Sequence, residues 1–113
     1  MTLQKNNPRI VKISANAAED IKDIWEYVAE HNENAARKLI KEFKNKFILL
    51  RDSPLLGREQ FTFLIGLRSF LFKNYFIFYL PLDDGIEVLR VLHSSRDIES
   101  IFENFFDSLS DNN

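Results

Sequence analysis

The sequence predicts an α+β domain with a short N-terminal strand, an antiparallel helical hairpin, a three-stranded antiparallel sheet and a short C-terminal helix. Three observations carry this. Apolar residues recur at three- and four-residue spacing between Asn16 and Arg51, the period drops to two from Leu67 to His93, and helical spacing returns after Asp97. The 113 residues, 45% of them hydrophobic and 28% charged, suffice for one domain with a core of its own. That domain is placed at residues 9–107, with flexible ends at 1–8 and 108–113.

Each element has a local reason. Arg9 to Ser14 alternates Ile10, Lys12 and Ser14 with Val11, Ile13 and Ala15, as a strand does. Asn16, with Glu19 three residues on, offers an N-cap to a helix carrying Ile21, Ile24, Trp25 and Val28 on one side. A second helix starts near Asn34 with the stripe Ala36, Leu39, Ile40, Phe43, Phe47 and Leu50, and Ser53, Pro54 and Gly57 end it. The short polar link around His31 and Asn32 folds the two helices back on each other. Leu67–Phe72, Tyr75–Leu80 and Glu87–His93 then read as three strands, joined by a tight turn at Lys73-Asn74 and by a turn carrying Asp84-Gly85.

Both sides of that sheet are apolar. Tyr75, Ile77 and Tyr79 point one way while Phe76, Phe78 and Leu80 point the other, so the helical hairpin can cover only one face. The tail, capped by Asp97 and bearing Ile98, Ile101, Phe102, Phe105 and Phe106, is a cover for the second face; the alternative is that a partner covers it. Phe61 and Phe63 have no place in this scheme. The hairpin is also divided by charge. Its first helix carries Glu19, Asp20, Asp23, Glu26, Glu30 and Glu33 against Lys22, and its second carries Arg37, Lys38, Lys41, Lys44, Lys46 and Arg51 against Glu42. Opposite signs on paired helices support the hairpin; a basic helix that meets an acidic partner is the sharper alternative.

Composition removes several function classes. The chain has no cysteine, which excludes disulfides, Cys-based zinc sites and thiol chemistry, and its two histidines are too few for a His-rich metal centre. No cofactor or metal is expected, since there is no Gly-rich phosphate loop and only three glycines. No apolar run spans a bilayer and the polar start has no signal-peptide core, so a cytoplasmic protein without a membrane partner is expected. A formal net charge of -2 argues against direct binding to nucleic acid.

Four stretches together carry a family pattern: Pro54-Leu55-Leu56-Gly57-Arg58, Gly66-Leu67-Arg68-Ser69-Phe70, Asn74 to Tyr79, and Asp84 to Ile98. This ordered set resembles the ParE branch of the RelE/ParE toxins, the toxin halves of type II toxin-antitoxin modules, often called plasmid stabilisation proteins. The resemblance covers about Arg9 to Phe102. It implies a helical hairpin on a twisted sheet, a cognate ParD-like antitoxin that neutralises the toxin, and DNA gyrase as the target. The alternatives are a RelE-like, ribosome-dependent and metal-independent endoribonuclease, or an inactive toxin kept as an antitoxin-binding partner. A homodimer and a toxin-antitoxin hetero-oligomer are both open as assemblies.

The candidate residues follow. A nuclease needs a proton acceptor, a proton donor and cations beside the phosphorus, and Arg68, His93 and Arg96 are the candidates for those roles. His93, by parity with Leu89 and Val91, also reads as a histidine at a strand end tied to Asp97. A partner surface is expected to draw on Arg58, Arg68, Phe70, Phe72, Arg90 and Arg96, with the antitoxin laying apolar side chains along the toxin.

Overall fold

The computed structural model describes residues 9–111, with side chains as far as Asn104. The expected flexible residues 1–8 and 112–113, and the expected placements of Phe105 and Phe106, lie outside the described residues. The elements are β1 (Ile10–Ile13), α1 (Ala15–Ala29), α2 (Glu33–Asp52), β2 (Arg58–Glu59), β3 (Arg68–Phe72), β4 (Tyr75–Leu82), β5 (Gly85–His93) and α3 (Ile98–Asp111). The predicted α+β class and element order hold. The sheet, however, has five strands rather than three, in the order β1-β5-β4-β3-β2. Strands β2 to β5 pair antiparallel, whereas β1 joins the far edge parallel to β5. The alternation of Arg9 to Ser14 marked β1 as a strand but not its place in the sheet, and nothing local marked β2. The two-residue β2 is too short to alternate, and a parallel pair is closed by a long crossover rather than a turn.

Gly85 is what lets β1 dock. Its register partner is Ile10, and a Cβ on Gly85 would lie 1.8 Å from the Ile10 carbonyl oxygen. The β4–β5 turn therefore sits at Asp83-Asp84, and Gly85 is the first residue of β5, kept bare for a backbone neighbour.

The N-cap of α1 is Ser14, not the expected Asn16. The Ser14 hydroxyl accepts the Ala17 N–H at 3.0 Å and donates to the Leu89 carbonyl at 2.9 Å. One side chain thus starts the helix and ties its start to β5, which Asn16, two residues further along and already inside the helix, cannot do. The cap of α2 is Asn32, whose side chain accepts from the Ala35 N–H. Among the described residues no ion pair joins α1 to α2, so the opposite charges of the hairpin act without direct contact.

The alternation predicted for β4 holds. Ile77 and Tyr79 pack under the hairpin with Phe43, Phe47 and Leu50, while Phe78 faces the other way with Leu67, Leu92 and Phe102. The tail covers this second face within the chain: Phe102 meets Phe78 edge-on at 4.9 Å and stacks on Phe63 at 5.1 Å. Phe63 so gains a place, whereas Phe61 is exposed. In β5 a bulge breaks the parity. Phe78 pairs with Arg90 and Tyr79 with Val88, leaving Leu89 extra; Val88 and Val91 both face the hairpin, and Leu89 packs on the second face. His93 shares a face with Val91, as expected, but not with Leu89.

Candidate functional site

The stretch from Pro54 to Arg58 is held by two side chains from the sheet. The buried Tyr79 hydroxyl donates to the Pro54 carbonyl at 2.7 Å and accepts the Gly57 N–H at 2.8 Å. A Cβ on Gly57 would lie 2.5 Å from that hydroxyl oxygen, so only glycine fits beneath it. Arg68, whose side chain is 15% exposed, donates to the Gly57 carbonyl at 2.7 Å and meets Glu59 at 3.5 Å. Burial pushes the ionisation of Tyr79 up, which keeps the hydroxyl proton available for Pro54. The loop backbone is thereby locked, while Leu55 and Leu56 project into solvent.

Arg90 is likewise engaged inside the domain. Its guanidinium makes two 2.8 Å bonds to the Asp20 carboxylate, which also accepts the Val91 N–H at 2.9 Å. The bonded carboxylate raises the Arg90 pKa, so the cation is permanent. The bulge in β5 supplies the geometry by turning Arg90 and Val91 together toward α1.

His93 ends β5 opposite Tyr75, with the two rings edge to face at 5.4 Å. The expected tie to Asp97 is replaced by one to Ser95. The Ser95 N–H donates to His93 Nδ1 at 3.0 Å, and Ser95 Oγ lies 2.7 Å from the same nitrogen. Because Nδ1 accepts, the ring proton sits on Nε2. Asp97 instead caps α3, accepting the Ser100 N–H at 3.2 Å, since the two-residue turn after β5 points it along the helix.

The three nuclease candidates are not brought together. His93 is paired with Tyr75 on one side of β4, and Arg68 with Tyr79 on the other. Four residues along β4 and two strand spacings separate them, roughly 13 Å by 10 Å. Arg96 lies in the exposed turn beyond β5. Of the residues expected at a partner surface, Arg58 and Arg96 are exposed and without side-chain partners among the described residues. Phe70 and Phe72 are half-buried against the hairpin core, and Lys46 and Lys73 lie over the Phe72 ring.

A feature not singled out from sequence lies at the β1 edge. Between β1, α1 and α2 opens an apolar groove of about 430 Å³. Its floor is Val11, Ile21, Phe43 and Phe47; Ile13 and Ile48, 40% and 45% exposed, stand at its rim with Lys44 and Arg51. The signal was present in Ile48, an apolar residue off the main stripe of its helix. Among the described residues no group of three or more His, Asp or Glu is placed to hold a metal, and no helix is long and apolar enough to cross a membrane.

A hairpin on a five-stranded sheet, a tyrosine-locked loop and an open apolar groove beside β1 define a small α+β domain. Residues 11–98 match the family described as the ParE toxin of the type II toxin-antitoxin system parDE, and the chain belongs to that family. The structure also resembles a solved chain described as the chromosomal ParDE toxin-antitoxin system from P. aeruginosa. The TM-score is 0.63 at 18% identity, over 77% of this chain and 97% of that one, a likeness of fold. No curated protein sequence matches.

Proposed function

We propose that this ParE-family toxin is held silent by a ParD-type antitoxin docked in the β1–α1–α2 groove, and that the free toxin inhibits DNA gyrase by binding it. The observation that carries the antitoxin half is the groove itself. It is apolar along its floor and carries cations at its rim, which suits a segment that lays apolar side chains inward and acidic ones outward. Family membership supports the gyrase half, as does the separation of Arg68, His93 and Arg96, two of which serve local structure. Arg58 and Arg96 are the cations we assign to partner contact.

Two experiments test this. Purified toxin is added to a gyrase supercoiling reaction and to a translation extract scored for cleaved message; inhibited supercoiling with intact message is expected. Cleaved message with untouched supercoiling favours the nuclease, and no effect in either favours an inactive toxin. For the groove, Ile48→Lys should weaken antitoxin binding roughly 10- to 100-fold while leaving the melting transition in place, because Ile48 contributes little to the core. Unchanged affinity would remove the groove from the reading.

A further inference from the structure

A second depression, of about 380 Å³, lies between α1 and the ends of β4 and β5, away from the groove. Asp23, Ile24, Tyr27, Tyr75, His93 and Ser95 line it. Its chemistry differs from the rest of the surface. Tyr27 is 69% exposed, with the His31 ring tilted against it at 5.9 Å. Tyr75 is half-buried and lines the same depression as Tyr27; burial pushes its ionisation up. Ser95 fixes the His93 ring through Nδ1, and that ring stands edge to face against Tyr75. Among the described residues Asp23 supplies the one acidic group of the lining, and no lysine or arginine is part of it.

The same helix shows what such a carboxylate does. Asp20 and Asp23 lie three residues apart on α1, on neighbouring turns of one face. Asp20 holds the guanidinium of Arg90 with two bonds. Asp23 is exposed and has no cationic partner among the described residues. A planar cation beside it would meet two tyrosine rings for stacking and one carboxylate for a bidentate pair, the combination that guanidinium uses better than ammonium. An anionic ligand would meet Asp23 and the neighbouring acids Glu19 and Glu26 of the same helix.

We infer that this depression is a receptor for a guanidinium group, an arginine side chain on a protein partner, with Asp23 forming the ion pair and Tyr27 and Tyr75 stacking on the cation. The site shares no lining residue with the groove. Its occupant is opposite in charge to the acidic segment argued for the groove, so a partner presenting both would meet two separated, complementary patches.

The test is a titration of the full chain, followed by the ring signals of Tyr27, Tyr75 and His93, with blocked arginine (N-acetyl-arginine amide). The probes for comparison are the neutral citrulline analogue, the lysine analogue and guanosine monophosphate. Saturable shifts of those rings are expected with arginine, with citrulline at least about tenfold weaker and lysine about threefold weaker. Asp23→Asn should cost about fivefold in arginine affinity and Tyr27→Ala about threefold. Both positions are exposed, so an unchanged amide spectrum elsewhere certifies each variant as folded. No ring shifts with arginine, equal binding of citrulline, equal binding of lysine, or an Asp23→Asn variant that binds as well as the parent would each overturn the assignment. Preferential binding of guanosine monophosphate would overturn it too, in favour of a base-binding site.

Discussion

The two faces of the sheet are both apolar, yet they are closed in different ways. Beneath the hairpin, Phe43 is enclosed by Phe47, Phe72 and Tyr75, two of them edge to face at 5.6 and 5.3 Å, and a groove stays open beside Val11 and Ile13 of β1. On the opposite face Phe78 and Leu92 are sealed by α3 and by the approach to β3, with Phe102 stacked on Phe63. The Phe78 side is thus covered in large part within the chain, and an apolar groove stays open where two helices meet an edge strand. Hydrophobic content alone does not locate a docking surface. What decides is which face runs out of covering elements first.

Phe43→Ala and Phe102→Ala set the two faces against each other with the largest expected effects. Removing Phe43 leaves a ring-sized hole at the centre of the hairpin core and should cost about 3–5 kcal/mol of global stability in urea unfolding. Removing Phe102 strips the main anchor of a terminal helix. We expect about 2 kcal/mol globally, with early loss of amide protection in α3. If Phe102→Ala costs as much as Phe43→Ala, α3 is part of the cooperative core and the contrast between the faces fails.

The next effect contrasts two carboxylates of α1. Asp20→Asn breaks a half-buried, bidentate pair and leaves Arg90 without its partner, a loss of roughly 2–4 kcal/mol. Asp23→Asn should stay within about 0.5 kcal/mol, because that carboxylate has no internal partner to lose. Thermal melts of the two variants decide this, and equal losses would mean that Asp23 is part of the fold.

Much of this architecture is legible in the sequence, for identifiable reasons. Alternation gave both faces of β4, helical spacing gave both helices of the hairpin, and Asp97 capped the last helix as its position suggested. What was not legible depends on contacts between residues distant in sequence. Ser14 outranks Asn16 as the cap because its hydroxyl reaches Leu89. The bulge that turns Leu89 away from His93 lies beside Arg90, which meets Asp20 seventy residues earlier in the chain. Gly57 and Arg68, which carry part of the family pattern, also tie a loop to the sheet, and nothing local in the sequence marks that tie.

That tie makes a third prediction. Tyr79→Phe removes the acceptor for the buried Gly57 N–H and the donor to the partly buried Pro54 carbonyl, and should cost about 1–3 kcal/mol. The pH dependence has a definite sign. The folded state raises the Tyr79 ionisation above its unfolded value, so the stabilisation is intact below about pH 10 and is lost as pH rises through the folded-state value. Tyr79→Phe should therefore lose less stability than the parent on alkaline titration; identical alkaline profiles would place the relevant ionisation elsewhere.

The smallest expected effect belongs to the surface pair at the β3–β4 turn. Lys73 adopts a left-handed φ of 54° and reaches Glu42 of α2 at 2.9 Å, tying the turn to the hairpin. The hydrogen bond from Lys73 lowers the Glu42 pKa, with the charges of Lys73, Lys38 and Lys46 adding to it. A depressed carboxylate stabilises the fold above its unfolded value, about 4.3, and that contribution fades as pH falls through the lower, folded-state value. Because Glu42 is held in a solvated, salt-screened setting, the parent should exceed Glu42→Gln only slightly at neutral pH and low salt. The difference should shrink in high salt and vanish in acid. A gap that persists unchanged in both conditions would mean that Glu42 acts through packing beside Phe72 rather than through charge, and the turn would then belong with the hairpin core rather than with the surface.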